Sequence, residues 1–278
     1  MAKLMWLDVV RVITWNVAGR SRRLPEQATA LAAREPDIVA LQEVTRRTWP
    51  LWNRAFELMG LTHVCASSLD SALSGGAGGR RTLVMIGARV ALEEVHKPLA
   101  VPRPESALSV IARSSSGPLE VHCVHVPNAA NGWVKVETLQ SLRRGLETPS
   151  RAPRVLCGDL NTPRRELPDG TTMSFARDSR GRLRPERGPE WDAAELGIVP
   201  GLRDLGYRDA FRTCHGYASR APSWTWKTIA GHDGGWRLDH IFLSAGLLPL
   251  ACQYHHQWRE QGLSDHSALE TDLEYSHS

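Results

Sequence analysis

The chain has 278 residues, 42% of them hydrophobic, and carries a net charge of +4. This suffices for one large layered domain with a sizeable core, and the mild basicity permits, without requiring, a polyanionic substrate. Five scattered cysteines, none of them in a C-x-x-C pair, argue against a disulfide framework or a zinc knuckle and favour a reducing compartment. The N-terminal residues lack the apolar segment of a signal peptide, and no uncharged run approaches the ~18 residues of a membrane span. We therefore expect a soluble, cytoplasmic protein that does not associate with membranes.

Apolar runs, prolines and capping residues divide the chain into many short predicted strands and a few helices. In chain order, strands are predicted over 9–17, 37–44, 61–67, 81–88, 107–113, 119–126, 155–159, 223–226, 236–243, 248–256 and 268–273, and helices over 25–35, 48–59, 132–146 and part of 202–211. The glycine cluster over 75–79 is not followed by G-K-[ST] or a helix, so we interpret it as a flexible connection and not as a phosphate-binding loop. This pattern predicts two packed sheets flanked by helices.

Residues 164–200 differ in composition from the rest of the chain. They are rich in arginine, proline, glycine and acidic residues and show little periodicity. We predict a surface excursion here, not a domain boundary, so that residues 1–278 form a single domain.

The most informative stretch is V-L-C-G-D-L-N-T-P, over residues 155–163. Its apolar beginning predicts a buried strand, and period-two alternation places Asp159 and Asn161 on the same side where that strand ends. A carboxylate beside an amide can hold a water, a metal ion or a phosphate oxygen. Alternatively, Asp159 only caps the loop in an Asx-type turn. The stretch alone favours neither interpretation.

Other predicted strand ends carry residues of the same kind. Glu43 follows the apolar strand I-V-A-L, which is unusual unless the strand ends at solvent or at a site. His266 lies next to Asp265 and could act as a general acid or electrophile, with Asp239 orienting it. Hard oxygen donors with few cysteines indicate Mg²⁺ or Mn²⁺ in preference to zinc. Each residue also has an ordinary structural explanation: a solvated strand end for Glu43, a cap for Asp265 and a hydrogen-bonded surface histidine for His266.

The residues just described lie within five short sequence motifs. They are T-W-N-V (14–17), L-Q-E-V (41–44), G-D-L-N-T-P (158–163), R-L-D-H-I (237–241) and S-D-H (264–266). Their order and approximate spacing resemble the endonuclease/exonuclease/phosphatase superfamily over nearly the whole chain except 164–200. One such motif would be weak evidence, but five in order are very improbable by chance. The resemblance implies an α/β fold, a four-layer sandwich of two mixed β-sheets flanked by helices, with one active site at the sheet edges.

Residues 125–135 resemble one particular branch of this superfamily. The sequence H-V-P-N-A, followed by G-W-V-K, is similar to the exonuclease III and abasic-site endonuclease branch, where a similar Tyr-x-Pro-Asn segment leads into a helix. His125 stands at the place of that tyrosine and can donate the same hydrogen bond, but a histidine can change its charge near neutrality. Ala18 and Gly19 stand where the branch often has an acidic residue, which weakens a possible second metal contact.

The resemblance also implies roles for individual residues. Asp159 would activate the attacking water, Asn161 would hold a phosphate oxygen, and His266, supported by Asp239, would stabilise charge on phosphorus. His125 would act beside the leaving group. The implied metal site consists of Glu43 as a direct ligand, Asn16, which helps to place water or phosphate, and Asp265, which holds the site together or touches the Mg²⁺ or Mn²⁺ ion.

The substrate class is a separate question, because the superfamily cleaves DNA, RNA, phosphoinositides and sphingomyelin with the same core. DNA is favoured by Asn128 in the branch-like segment and by tryptophans that could stack on a displaced base or wall an abasic pocket, although core packing would also explain them. These are Trp224, Trp226 and Trp236. Seven arginines of the excursion could contact phosphates or simply form a solvated loop, offset by nearby acids. They are Arg164, Arg165, Arg177, Arg180, Arg182, Arg184 and Arg187.

The resulting hypothesis is a metal-dependent hydrolase of DNA phosphodiester bonds, of the abasic-site endonuclease or 3′ exonuclease type. Two alternatives stay open: a phosphodiesterase or phosphatase of a small or lipid-derived phosphate ester, and a non-catalytic nucleic-acid-binding relative. No protein partner can be inferred from the sequence.

Overall fold

The computed structural model describes residues 9–67, 82–219, 221–222, 224–226 and 235–276. The glycine connection expected over 75–79 lies outside the described residues. The strands are β1 (Val10–Asn16), β2 (Ile38–Thr45), β3 (His63–Ala66), β4 (Thr82–Ala88), β5 (Leu92–Glu94), β6 (Ala107–Ser114), β7 (Gly117–His125), β8 (Arg154–Asp159), β9 (Arg165–Glu166), β10 (Thr172–Met173), β11 (Arg208–Asp209), β12 (Asp239–Leu243), β13 (Leu247–His255) and β14 (Ala268–Tyr275). The helices are α1 (Leu24–Ala32), α2 (Trp49–Leu58), α3 (Trp133–Glu147), α4 (Gly188–Leu196), α5 (Ala210–His215) and α6 (His256–Glu260).

Twelve of these strands form two six-stranded mixed sheets. The first has the order β13-β14-β1-β2-β4-β3, and the second has the order β11-β12-β8-β7-β6-β5. In each sheet two neighbouring central strands run parallel, β1 with β2 and β7 with β8. The carboxyl ends of these two parallel pairs are where the polar residues of the sequence motifs lie.

Successive side chains of a strand point to opposite faces of its sheet, so each sheet packs against a layer on either side. In β2, Ile38 and Ala40 pack into the core between the sheets, whereas Val39 and Leu41 belong to a second cluster with α1 and α2. In β8, Leu156 packs toward α3 and α4. Because each sheet buries both faces in this way, its strands need apolar residues at nearly every position. The predicted four-layer sandwich, helices on each outer face of two packed sheets, is confirmed.

Most predicted elements lie within a residue or two of the observed ones, but several regions differ. The short edge strand β5 has no apolar alternation and was not predicted from the sequence. Around 223–226, the described residues show only isolated bridges from Trp226 to Trp236 and His266 in place of the predicted strand. The segment 202–211 is helical in part, as predicted, because it contains most of a short 3-10 helix, Gly201–Leu205, and the beginning of α5.

The segment 164–200 is more ordered than its composition indicates. It contains the hairpin of β9 and β10 and the helix α4. Its polar residues are paired internally or with the sheets: Arg177 with Asp192 at 2.6 Å, and Glu166 with the buried Arg237 at 2.6 Å. Hydrophobic periodicity could not reveal this order, because ion pairs supply much of the packing.

The expectations about the cysteines and about membrane spans can also be compared with the structure. All five cysteines are free thiols, as their scattered spacing predicts. Among the described residues, no helix is both long enough and apolar enough to cross a membrane.

Candidate active site

A cavity of about 520 Å³ opens where the carboxyl ends of the two parallel strand pairs meet. Its polar lining includes Glu43, Asp159, Asn161, Asp265 and His266, all predicted from the sequence motifs. Central parallel strands end at the same edge of their sheet, so residues far apart in sequence converge at this edge. The predicted residues therefore surround one site.

Glu43 reaches the cavity because β2 is irregular at its end. The register between β2 and β4 shifts between Leu41 and Val44, and Glu43 has a φ of +57°. A β-bulge of this kind adds a residue to one strand and turns a side chain away from its expected direction. Glu43, whose charge is unusual after an apolar strand, is thus turned toward the cavity by a local distortion of β2.

Asn16 links the two sheets beneath the cavity. Its side-chain Nδ2 donates to Glu43 Oε1 at 3.1 Å and to Asp159 Oδ2 at 3.0 Å, and its Oδ1 accepts from the backbone N–H of Ala18 at 3.0 Å. The sequence predicts Asn16 as part of the metal site, whereas in this geometry its oxygen is engaged by the backbone. An amide nitrogen does not ligate a cation, and in this orientation the nitrogen of Asn16 bridges the carboxylates of Glu43 and Asp159.

Asp159 and Asn161 form a tight turn at the end of β8. Asp159 Oδ1 accepts from the backbone N–H of Asn161 at 3.0 Å, and Asn161 Nδ2 donates to the carbonyl of Val126 at 2.8 Å. The preceding Gly158 has a φ of +134°, and a Cβ there would lie 2.0 Å from the carbonyl oxygen of Val124 in β7. The glycine of the G-D-L-N motif is thus required by the close approach of the neighbouring strand.

His266 is held between two buried carboxylates. Its Nδ1 is hydrogen-bonded to Asp239 Oδ2 at 2.8 Å, and its Nε2 lies 3.8 Å from Asp159 Oδ2. Burial would lower the pKa of His266, but Asp239 and Asp159 outweigh it and raise this pKa to about 10. Burial in turn raises the pKa of Asp159, an effect that the charge of His266 opposes. His266 is therefore a cation at neutral pH, while Asp159 is a stronger base than an ordinary aspartate.

The S-D-H turn is fastened to β1. Ser264 Oγ donates to the carbonyl of Asn16 at 2.6 Å, and Trp15 Nε1 donates to the carbonyl of His266 at 3.0 Å. These bonds fix the position of His266 relative to the end of β1. Asp265 between them is exposed at the cavity, and its Oδ1 accepts a long hydrogen bond of 3.4 Å from Ser264 Oγ.

His125 lies on the cavity wall at the end of β7. It is paired with Asp159 across the parallel strands, and its Nε2 lies 3.8 Å from both Glu43 Oε1 and Asp159 Oδ2. These distances are longer than a direct hydrogen bond. The imidazole is therefore placed beside both carboxylates and can still donate to a bound substrate.

The donor chemistry of this cavity fits a hard divalent cation. Glu43, Asp159 and Asp265 line it and Asp239 lies directly behind, so carboxylates outnumber the nearby cationic side chains. A phosphate ester anion would be repelled by this excess of negative charge unless a cation offset it. Carboxylate oxygens are the ligands that Mg²⁺ and Mn²⁺ prefer.

A second group of potential ligands overlaps with this one. Single atoms of Asp159, Asp239 and His266 lie within 4.8 Å of one another. However, an imidazolium cannot ligate a cation, and the short Nδ1 contact to Asp239 together with the raised pKa of His266 favours that protonated form. In this structure Asp239 and His266 form a hydrogen-bonded pair, and the carboxylates that line the cavity beside them are those of Glu43, Asp159 and Asp265.

A second part of the cavity lining, the aromatic wall, consists of aromatic rings. Trp226 and Trp236 stack with ring centroids 5.0 Å apart, and Phe175 packs edge-on against Trp236, also at 5.0 Å. Asn128 lies at the rim, where its Oδ1 caps a short turn by accepting from the N–H of Ala130 at 3.1 Å. Trp224 is not brought to the cavity, because it stacks on His256 and Arg259.

Phe175 was not predicted from the sequence. An aromatic residue in an otherwise polar segment is the signal that could have identified it. Among the arginines of the excursion, only Arg187 lines the cavity; its guanidinium donates to the carbonyl of Phe175 and covers the ring of Trp191. Arg177 instead pairs with the buried Asp192 of α4, whereas the exposed Arg182 pairs with nearby Asp178, as the solvated-loop explanation anticipates.

Comparison with known proteins adds sequence and structural relatives. A family model described as the Endonuclease/Exonuclease/phosphatase family matches residues 13–266. The chain is 33% identical over 136 residues to the DNA repair nuclease APEX1 of Danio rerio, a match that covers 46% of this chain and 40% of that relative. The match thus spans about two fifths of the relative's length.

Three solved structures have the same fold. An endonuclease/exonuclease/phosphatase from Beutenbergia cavernae superimposes with a TM-score of 0.67 at 19% identity, covering 96% of this chain and 72% of that one. An AP endonuclease from Archaeoglobus fulgidus gives 0.66 at 22% identity, covering 94% and 98%. A 3′ phosphatase, NExo, from Neisseria, bound to a product DNA hairpin, gives 0.64 at 21% identity, covering 96% and 100%. At these identities the structures establish the fold only.

Proposed function

The chain belongs to the endonuclease/exonuclease/phosphatase family, and from this membership we propose that it is a divalent-metal-dependent phosphodiesterase that hydrolyses DNA. The proposed activity is of the abasic-site endonuclease or 3′ exonuclease type. One observation carries the proposal: the lining of a single cavity combines an acid–histidine centre with aromatic rings and a cationic arginine.

The aromatic wall favours a nucleic acid over a small phosphate ester. Phe175, Trp226 and Trp236 form a group of contacting rings that lines the same cavity as Asp159 and His266. Such a group of rings can receive a sugar or base that has left the helical stack while its phosphate remains at the polar wall. Arg187 at the same wall can pair with a flanking phosphate. The relatives described as acting in DNA repair or on DNA support this substrate class.

The side chains can divide the hydrolysis among them. Asp159, whose pKa burial raises, accepts the proton of the attacking water as it adds to phosphorus. Cationic His266, held by Asp239, stabilises the charge that develops on the phosphoryl oxygens, and the amide of Asn161 binds one of them. His125 donates toward the leaving oxygen. A bound Mg²⁺ or Mn²⁺, held by Glu43 and Asp265, supplies charge neutralisation at the phosphate.

A substrate panel tests the proposal. Fluorescently labelled duplexes containing an abasic site, a recessed 3′ end or a 3′ phosphate are compared with bis(p-nitrophenyl) phosphate, each in Mg²⁺, in Mn²⁺ and in EDTA. We expect metal-dependent cleavage of at least one duplex by the wild type and none by Asp159→Asn at equal concentration. Hydrolysis of the small ester alone, with every duplex untouched, would overturn the DNA assignment.

Salt dependence provides a second measurement. Binding of Asp159→Asn to the duplex should weaken linearly on a log–log plot of affinity against salt, because basic side chains displace condensed counterions. DNA binding without cleavage by the wild type in any metal would instead indicate a non-catalytic nucleic-acid-binding protein.

A further inference from the structure

A buried ion pair lies behind the aromatic wall, outside the residues to which the reaction was assigned. Lys135 Nζ in α3 and Glu195 Oε1 in α4 are 2.7 Å apart, and both side chains are fully buried. Removing two charges from water usually costs about as much as their attraction returns, so an apolar pair would stabilise the fold equally well. A buried pair of this kind therefore calls for a role other than stability.

Glu195 joins four parts of the chain. Its Oε1 accepts from Lys135 and from Trp191 Nε1 at 2.6 Å. Its Oε2 accepts from Thr162 Oγ1 at 2.9 Å and from the backbone N–H of Phe175 at 2.7 Å. One carboxylate thus ties α3, α4, the loop after β8 and the aromatic wall together.

Lys135 completes the restraint on Asn161. The backbone N–H of Asn161 is held by Asp159, its side-chain amide by Val126, and its carbonyl accepts from Lys135 Nζ at 2.8 Å. Asn161 has a φ of +49°, in the left-handed region that asparagine adopts more readily than most residues, and three hydrogen bonds hold it there. Lys135 supplies one of the three bonds that do so.

The same pair fixes Phe175. Its backbone N–H is bound by Glu195, and the Lys135 ammonium lies 4.8 Å from the centroid of its ring. The ring in turn packs edge-on against Trp236. The polar wall and the aromatic wall of the cavity are therefore set by one ion pair.

We propose that Lys135 and Glu195 are positioning residues that fix the separation between Asn161 and Phe175, and hence the fit of substrate between the two walls. This inference rests on the proposed phosphodiesterase function. The proposal also assigns a positioning role to the segment 164–200, since that segment supplies both Phe175 and Glu195. Neither charged group touches the substrate.

The test uses the full chain and separates positioning from folding. Lys135→Met and Glu195→Gln, made singly, each leave one buried charge unbalanced and should lower the melting temperature by about 10 °C. The double variant removes both charges and should regain most of that loss. It should nevertheless show kcat reduced about 10-fold or more on both DNA and bis(p-nitrophenyl) phosphate, since Asn161 loses a restraint, and a raised KM on DNA only, since Phe175 is displaced.

Two controls make the result specific. Arg154→Met with Glu120→Gln removes another buried pair, 3.1 Å apart at the opposite end of β8, and should change stability without changing kcat. Adding Phe175→Ala to the Lys135/Glu195 double variant should raise KM on DNA no further, because residues acting through one another are not additive.

The experiment distinguishes failure of the positioning role from failure of the proposed function. A wild type that hydrolyses only the small ester removes the DNA assignment but leaves the kcat comparison intact. A folded double variant with wild-type kcat and KM on an active substrate would overturn the positioning role.

Discussion

The pair formed by Asp239 and His266 allows a quantitative prediction. The pKa of His266 is raised from 6.5 to about 10. At ~1.4 kcal/mol for each pKa unit, this difference favours the imidazolium by about 5 kcal/mol in the folded protein. The ring is buried, so solvent screening does not reduce the figure greatly. Of the interactions that raise this pKa, the charge of Asp239 is the largest.

Replacing Asp239 by asparagine keeps the volume and removes that charge. Burial continues to favour the neutral ring, and only Asp159 and the more distant Asp265 still oppose it. We expect the pKa of His266 in Asp239→Asn to fall by at least ~2, the usual effect of losing an adjacent opposite charge. The variant should then lose its imidazolium between about pH 7 and pH 9, where the wild type retains it.

The sign for stability follows from the same linkage. Since the folded-state pKa is raised, the pair stabilises the fold fully below about pH 6.5 and loses that contribution as pH rises toward 10. The difference in unfolding free energy between wild type and Asp239→Asn should therefore be greater at pH 6 than at pH 9.5. Urea unfolding at the two pH values measures it.

Nuclear magnetic resonance of the imidazole measures the pKa directly. The titration is made on metal-free protein in EDTA, with the His266 signal assigned from a His266→Gln variant. A wild-type His266 that titrates near 6.5, or a variant indistinguishable from wild type, would refute the reasoning. Addition of Mg²⁺ at pH 7 should leave His266 protonated; its deprotonation would show that Asp159, Asp239 and His266 hold the ion instead.

Three further predictions concern activity. Asp159→Asn should lower kcat at least ~100-fold while preserving duplex binding, because proton transfer is lost and the volume is kept; a loss below ~10-fold would exclude water activation. Glu43→Gln should raise the Mg²⁺ concentration for half-maximal rate, with partial recovery at high Mg²⁺, and an unchanged midpoint would exclude this ligand. Arg187→Gln should raise KM for DNA about 10-fold with little change in kcat, whereas Arg182→Gln, whose partner is Asp178, should resemble wild type. Equal effects of the two arginine variants would contradict a specific phosphate contact.

The fold could be predicted because the sequence patterns that indicate its strands are local. Each central strand is an apolar run bounded by glycine, proline or a polar residue, and both faces of each sheet are buried. The residues that converge at the cavity were predictable for the same reason. Asn16, Glu43 and Asp159 all lie at or within two residues of a strand's end, and strand ends meet at a sheet edge.

What could not be predicted depends on contacts between distant residues. The bulge that turns Glu43, the amide orientation of Asn16 and the position of Phe175 are set by tertiary neighbours. The order of the segment 164–200 was not predicted, since buried carboxylates such as Glu195 and Glu166 contribute to it beside a few apolar residues. A periodicity of hydrophobic residues carries no information about such pairs.

The two interpretations of Asp159 in the sequence are compatible in the structure. Its Oδ1 accepts the backbone N–H of Asn161 and so makes the Asx-type turn, while its Oδ2 accepts from Asn16 and lies 3.8 Å from His266 Nε2. The turn fixes the carboxylate in one rotamer, which leaves the second oxygen aimed at the point where His125 and His266 converge. A group that must accept a proton at a defined distance from phosphorus benefits from this restraint, because a freely rotating carboxylate would lose entropy on each turnover. The structural role of Asp159 is thus a precondition of the catalytic role that we propose for it.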